Sequence, residues 1–207
     1  MEDRSLFRPL RQTISQKWLG RPVTQRGALV ELAEAIRETR SAGKVVRLVF
    51  ICTHNARRSV LAQVSATVAA AWYDLKPVEV YSGGTEATRV HPNALAALER
   101  AGCTVASDGQ AGQIRHQIRI GVDEPAIPVF SKRLDHPDHP NRDFIAVMVC
   151  SDADANCPFV PGAAHRVSLP FTDPKSADGT PQAERVYDER LQEIAGALFF
   201  AFSESQK

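Results

Sequence analysis

Cys52 and Arg58 stand six positions apart in the run Cys52-Thr53-His54-Asn55-Ala56-Arg57-Arg58-Ser59, a spacing that can seat an oxyanion against a nucleophilic sulfur. Backbone N–H groups of a short loop entering a helix form a concave nest for a tetrahedral anion, and the same nest favours a thiolate. The helix N-terminus and the Arg58 guanidinium are expected to draw the Cys52 pKa below its usual ~8.5, so that the nucleophilic form exists at neutral pH. Arg58 would grip two oxygens of the anion through its planar fork, better than a lysine could. Ser59 can donate to the sulfur, and Asn55 suits the left-handed backbone of a tight turn. Taken alone the spacing is weak, because a cysteine ending a strand is commonly a small core residue.

Other candidates lie further along. Cys150 and Cys157 flank the polar segment Ser151-Asp152-Ala153-Asp154-Ala155-Asn156, a poor helix by propensity. Unrelated buried thiols, or half a zinc site with His165, are the bland readings of this pair. Asp173-Pro174 by itself is a turn signal. The run Asp135-His136-Pro137-Asp138-His139-Pro140 could bind a metal through its imidazoles, but its prolines and its lack of further ligands favour a solvated turn, so no metal site is expected. Cys103, after Gly102 at a helix end, reads as packing.

These residues need a frame. Residues 1–24 read as irregular, broken by Pro9, Gly20 and Pro22, and Leu29, Leu32, Ala33 and Ile36 then recur at helical spacing up to Gly43. A helical N-terminal extension over 1–44 is therefore expected, ahead of a main domain over 45–207. Val45 to Ile51 fits a buried strand and the alanine-rich stretch from Ser59 to Tyr73 a helix, so the cysteine loop joins them without a gap. Val78 to Ser82 reads as a strand and Pro92 to Arg100 as a helix closed by Gly102. Ala146 to Cys150 and His165 to Leu169 are further strands, and Thr180-Pro181 opens a last helix whose apolar face carries Tyr187, Leu191, Ile194, Leu198 and Phe202. The stretch from Thr104 to Arg142, rich in Gly, Pro, His and Asp, carries only short strand-like pieces and reads as a loop or small excursion. The pattern predicts an α/β fold of three layers, a parallel sheet of about four strands between helices, with ligands beyond the carboxyl ends of the strands.

Composition sets the outer bounds. The chain has 207 residues, 43% hydrophobic and 24% charged, enough to bury a sizeable core without staples. A formal net charge of +1 gives no basic face for nucleic acid, and no apolar run reaches a membrane span of ~18 residues. With acidic residues at the N-terminus and no apolar stretch behind them, a cytoplasmic location is expected, where the four cysteines would be thiols.

From Val45 onward the sequence resembles the low-molecular-weight protein tyrosine phosphatases and, within them, the thioredoxin-coupled arsenate reductases. Four ordered blocks carry the resemblance: Cys52 to Ser59, Tyr81-Ser82-Gly83-Gly84-Thr85-Glu86-Ala87-Thr88, Cys150 to Pro158, and Asp173-Pro174. It implies an oxyanion cradle over Thr53, His54, Asn55, Ala56, Arg57 and Arg58, and Asp173 as the general acid on a mobile loop. It also implies that Cys150 attacks the Cys52 arsenic adduct and that Cys157 then takes over the disulfide, which an external thiol reductant of the thioredoxin kind reduces. No tightly bound cofactor is implied. Residues seven apart in a helix lie about 10 Å apart along its axis, while a disulfide needs Cα atoms within about 7 Å, so the segment between Cys150 and Cys157 would have to rearrange. A phosphate monoester hydrolase is the alternative activity, although Pro174-Lys175-Ser176 lacks the aromatics that flank a phenyl ring in the phosphotyrosine-directed members. A non-catalytic oxyanion or redox sensor is the other alternative. Arg57 departs from the neutral residue more often found in such cradles, and Gln63 from an acidic residue near a potassium site, so that cation is not carried over.

Overall fold

In a computed structural model, which describes residues 5–108, 114–157 and 159–207, the apolar run ahead of Cys52 is the central strand β1 (Val46–Cys52). It lies between β2 (Val78–Gly84) on one side and β6 (Phe144–Met148) on the other, and β7 (Ala163–Ser168) completes the sheet in the order β2-β1-β6-β7. All three pairings are parallel. The four strands run as predicted, with ends displaced by a few residues.

Helices cover both faces of this sheet. α3 (Arg58–Trp72) follows the cysteine loop directly, and nearly all of its residues are buried, which the run of alanines permits by letting neighbouring backbones approach. It packs against α6 (Ala183–Glu204), which in turn meets α2 (Arg26–Ser41). α6 begins after Gln182, slightly later than the Thr180-Pro181 signal, and Thr180 Oγ1 accepts from the Gln182 N–H at 3.3 Å in the turn before it. α4 (Pro92–Arg100) has the predicted bounds, and Gly102 behind it takes φ +107° where a Cβ would stand 2.4 Å from the Leu10 nitrogen.

Two readings of the chain are corrected. Residues 1–24 are not irregular throughout: α1 (Arg8–Thr13) runs into a π-helical turn over Ile14–Trp18. Leu6, Leu10, Ile14 and Trp18 form a buried stripe, and Trp18 meets Phe199 of α6 edge to face at 5.7 Å. Pro9 falls in the first turn, where a missing N–H does no harm. The short strand-like pieces after Thr104 are more than a loop: they pair into a second, antiparallel sheet of β3 (Thr104–Asp108), β4 (Arg115–Arg119) and β5 (Ile127–Val129).

In the main sheet the chain moves from β1 outward to β2, and then crosses to β6 and β7 on the other side. Strand order therefore reverses between β1 and β6, and a crevice opens beyond their carboxyl ends. Cys52 ends β1, and Cys150 lies just beyond β6, as the N-cap of the short helix α5 (Ser151–Asn156). No helix among the described residues is long and apolar enough to cross a membrane.

Candidate active site

The loop after Cys52 is shaped by where its carbonyls point. The Cys52 oxygen accepts from the Thr85 N–H at 3.2 Å, and the Thr53 oxygen from the Glu86 N–H at 2.8 Å and the Thr85 hydroxyl at 3.2 Å. The His54 oxygen accepts from the hydroxyls of Thr88 and Ser131, and the Ala56 oxygen from the His91 N–H. With these carbonyls bound on the outside, none of the described residues accepts from the backbone N–H groups of His54 to Ser59. That is the donor-lined nest an oxyanion requires. The block from Tyr81 to Thr88 thus serves as the outer frame of the cradle, and Gly84 must be a glycine, since a Cβ there would stand 2.6 Å from the Thr53 oxygen.

Asn55 closes the frame from within. It takes φ +46°, donates to Ser59 Oγ at 2.8 Å and accepts from the Lys132 N–H at 3.0 Å. Ser59 Oγ is in turn 3.1 Å from Cys52 Sγ. Because Asn55 supplies an N–H to that hydroxyl oxygen, the Ser59 proton is free to go to the sulfur.

Arg58 is 8% exposed and ties the cradle to the loop after β7. Its Nη1 donates to the Phe171 carbonyl at 3.1 Å, and its Nη2 to Asp173 Oδ2 at 2.6 Å. The buried Nε has no partner among the described residues. Asp173 also caps a 3₁₀ turn over Pro174–Ala177, its Oδ1 accepting from the Lys175 N–H at 3.0 Å. The structure therefore brings Cys52, Arg58, Ser59 and Asp173 into one site.

Cys150 joins them at the rim: its Sγ is 3.6 Å from the hydroxyl of Thr53, the first residue of the cradle, and accepts from the Ala153 N–H at 3.3 Å. Cys157 lies at the other end of α5, half-buried, and opens onto a groove of about 1120 Å³ shared with Tyr81, Gly84 and Thr85. Arg166 on β7 clamps the helix between them, with Nε donating to the Cys157 carbonyl at 3.1 Å and Nη2 to Asp154 Oδ1 at 2.6 Å and the Asp154 carbonyl at 2.8 Å. Ser168 holds the other Asp154 oxygen at 2.7 Å. All four cysteines are free, and burial pushes the Cys103 thiol up to about 12, which suits its reading as packing.

Some expected residues sit elsewhere. The Arg57 side chain turns away from the cradle, with Nε donating to Tyr187 Oη at 2.7 Å and Nη2 to Asp178 at 2.5 Å, so its contribution to the nest is confined to the backbone. His54 stands at the exposed mouth, 3.6 Å from Glu86. Gln63 is buried and fully engaged with Ser82, Val80 and Pro128. His165 faces Glu38 of α2, and no cluster of metal-ligating side chains occurs among the described residues. The run from Asp135 to Pro140 is only partly a solvated turn: His139 reaches inward, its Nδ1 3.0 Å from the Leu134 carbonyl and its Nε2 3.0 Å from that of Ser82. Sequence reasoning gives no sign of Asp178 or His91, and it places Tyr187 only on the apolar face of the last helix. The one available signal was Arg57 itself, a charge in a loop with little solvent, which demands a partner.

A family model for low molecular weight phosphotyrosine protein phosphatase matches residues 47–120. The arsenate reductase of Shouchella clausii (strain KSM-K16) is 28% identical over 156 residues, spanning 75% of this chain and 94% of that protein. Arsenate reductase 1 of Staphylococcus epidermidis is 31% identical over 142 residues, spanning 68% of this chain and 86% of that protein. Among solved structures, a YwlE mutant from Bacillus subtilis has the same fold, with a TM-score of 0.52 at 16% identity over 78% of this chain and 99% of that one. The cradle, its frame and these relatives agree: the chain belongs to the low-molecular-weight phosphotyrosine protein phosphatase family, in the branch that holds the arsenate reductases.

Proposed function

We propose that the protein reduces arsenate to arsenite by a relay of three thiols. The Cys52 thiolate attacks arsenate held by the cradle and Arg58, a sulfur–arsenic bond forms, and the departing oxygen leaves as water after taking a proton from Asp173. Cys150 then attacks the Cys52 sulfur. A Cys52–Cys150 disulfide forms, the sulfur–arsenic bond breaks with its electron pair going to arsenic, and arsenite departs. Cys157 attacks Cys150, freeing Cys52, and an external dithiol of the thioredoxin kind reduces the Cys150–Cys157 bond. Free cysteines of this sort suit the reducing cytosol.

The observation that carries this reading is Cys150 Sγ lying 3.6 Å from Thr53 Oγ1, beside the cradle, with Cys157 closing the same short helix. The buried Nε of Arg58, without a partner among the described residues, supports an oxyanion as the ligand. Hydrolysis of phosphate monoesters is the second reading, favoured by a carboxyl at Asp173, 2.6 Å from Arg58 Nη2, since an ester leaving group needs an acid beside the cradle. Purified protein with arsenate, thioredoxin, its reductase and NADPH decides between them. Arsenate-dependent NADPH consumption is expected, abolished in Cys52→Ser and limited to about one turnover in Cys157→Ser, with a Cys52–Cys150 disulfide found by mass spectrometry. If all four thiols of the wild type stay free after arsenate while an aryl phosphate is hydrolysed, the hydrolase reading replaces the reductase.

A further inference from the structure

Arg57 and Arg58 are consecutive, yet they hold opposite ends of the same loop. Arg58 holds its start through the Phe171 carbonyl and Asp173, and Arg57 holds its end through Asp178, the residue that closes the 3₁₀ turn begun at Asp173. The second contact is the better built. Asp178 accepts from Arg57 at 2.5 Å and from the Tyr187 hydroxyl at 2.6 Å, and His91 Nε2 stands 3.4 Å away. Tyr187 is buried, stacks on the His91 ring with centroids 5.6 Å apart, and lies 3.2 Å from His91 Nδ1. His91 also donates its backbone N–H to the Ala56 carbonyl, so the cluster is fixed to the cradle twice.

An oxyanion entering the cradle competes with Asp173 for Arg58, because the guanidinium cannot keep both its carboxylate and a bidentate anion in the same geometry. Once displaced, Asp173 would be free to swing out with its loop. The Arg57–Asp178 contact involves neither the anion nor the acid, and so survives that exchange. We propose that the Arg57–Asp178 ion pair, backed by Tyr187 and His91, is a positioning device that keeps Asp173 over the cradle after the oxyanion has taken Arg58. It rests on the reading of Asp173 as the general acid. It also accounts for an arginine where a neutral residue is the commoner choice.

The test uses the full chain with two aryl phosphates, 2,4-dinitrophenyl phosphate, whose leaving group needs no proton, and phenyl phosphate, whose leaving group does. The inhibition constant of inorganic phosphate reads the cradle alone. Arg57→Met is expected to lower kcat/KM about tenfold or more for phenyl phosphate and less than about threefold for the dinitrophenyl ester, with the phosphate constant within about twofold of wild type. Arg57→Lys, which keeps the cation, should restore most of the phenyl phosphate rate, and Tyr187→Phe should show a smaller loss of the same selectivity. Asp173→Asn is measured in parallel. If it lowers both esters equally, or the wild type shows no leaving-group-dependent hydrolysis, the acid reading fails and takes this inference with it. If Asp173→Asn is selective while Arg57→Met loses both esters equally or weakens phosphate binding in proportion, the inference alone is overturned. Should Arg57→Met not fold, an unselective loss in Tyr187→Phe overturns it by itself.

Discussion

If Cys150 and Cys157 form the disulfide of the proposed relay, the Arg166 clamp on α5 should set its midpoint potential. In the dithiol state Arg166 makes three hydrogen bonds to the helix, two to Asp154 and one to the Cys157 carbonyl, and Ser168 adds one to Asp154. A Cys150–Cys157 disulfide needs Cα atoms within about 7 Å, whereas residues seven apart in a helix stand about 10 Å apart along its axis, so α5 must unwind and Asp154 must leave Arg166. The clamp therefore stabilises the dithiol and is lost from the disulfide. Charge-assisted hydrogen bonds contribute roughly 1.5–3 kcal/mol when buried, and partial exposure of both side chains lowers the whole clamp to about 2 kcal/mol.

Arg166→Met keeps the aliphatic stem and removes the guanidinium. Since only the dithiol loses stabilisation, the disulfide becomes relatively easier to form, and the midpoint potential should fall by about 40 mV, at about 30 mV for each 1.4 kcal/mol in a two-electron couple. The assay is equilibration of the Cys52→Ser protein, with and without Arg166→Met, in dithiothreitol buffers of graded ratio, followed by alkylation and mass analysis of Cys150 and Cys157. Ser168→Ala should shift the potential in the same direction by less. An unchanged potential, or one that becomes less negative, refutes the idea that α5 must break this clamp to form the disulfide.

Arg58→Lys retains the charge and loses the fork that meets Phe171 and Asp173, and should lower turnover of arsenate or aryl phosphate by about 10²–10³-fold in steady-state kinetics. Asn55→Ala removes the bonds to Ser59 and the Lys132 N–H at a left-handed backbone position, and should cost about 3 kcal/mol of stability in urea unfolding, together with most of the activity. Burial holds the Lys132 amine down at about 8, below its ordinary 10.5. The folded state thus releases the proton first, so stability should rise with pH between these values, and Lys132→Met should be more stable than wild type by about 2 kcal/mol at pH 7, an advantage that fades above pH 8. A difference independent of pH would remove Lys132 as its source.

What could be read from the sequence was what is local. The cradle is a contiguous strand, loop and helix, and α4 carries its own punctuation in Pro92 and Gly102, so both lay open to inspection. The stripe Leu6, Leu10, Ile14 and Trp18 is also present as a helical repeat, but Pro9 reads as a breaker although it occupies the first turn. His139 misled for the opposite reason: in a run of Asp and Pro it looks solvated, and its partners, the carbonyls of Ser82 and Leu134, leave no trace in composition. The β3–β5 sheet was hidden because its strands are short and its outer residues polar, so that pairing rather than periodicity defines them.

Arg57 shows how far local reading can go and where it stops. Arg57 is the N-cap of α3, with φ −132° and ψ −84°, and Arg58 is its first helical residue, so the two side chains leave the backbone in different directions, Arg58 toward Asp173 and Arg57 toward Asp178. One must face the anion, and the other must find a buried counter-charge or leave the structure strained. The chain supplies that charge from Asp178, 121 positions away, and orients it with Tyr187, a residue whose place in the apolar stripe of α6 gives no sign of a polar duty. A second arginine is thereby turned from a competitor of Arg58 into an anchor for the loop that Arg58 must release. Grip on the anion and retention of the acid are then separate tasks of neighbouring residues, and each can be altered without the other.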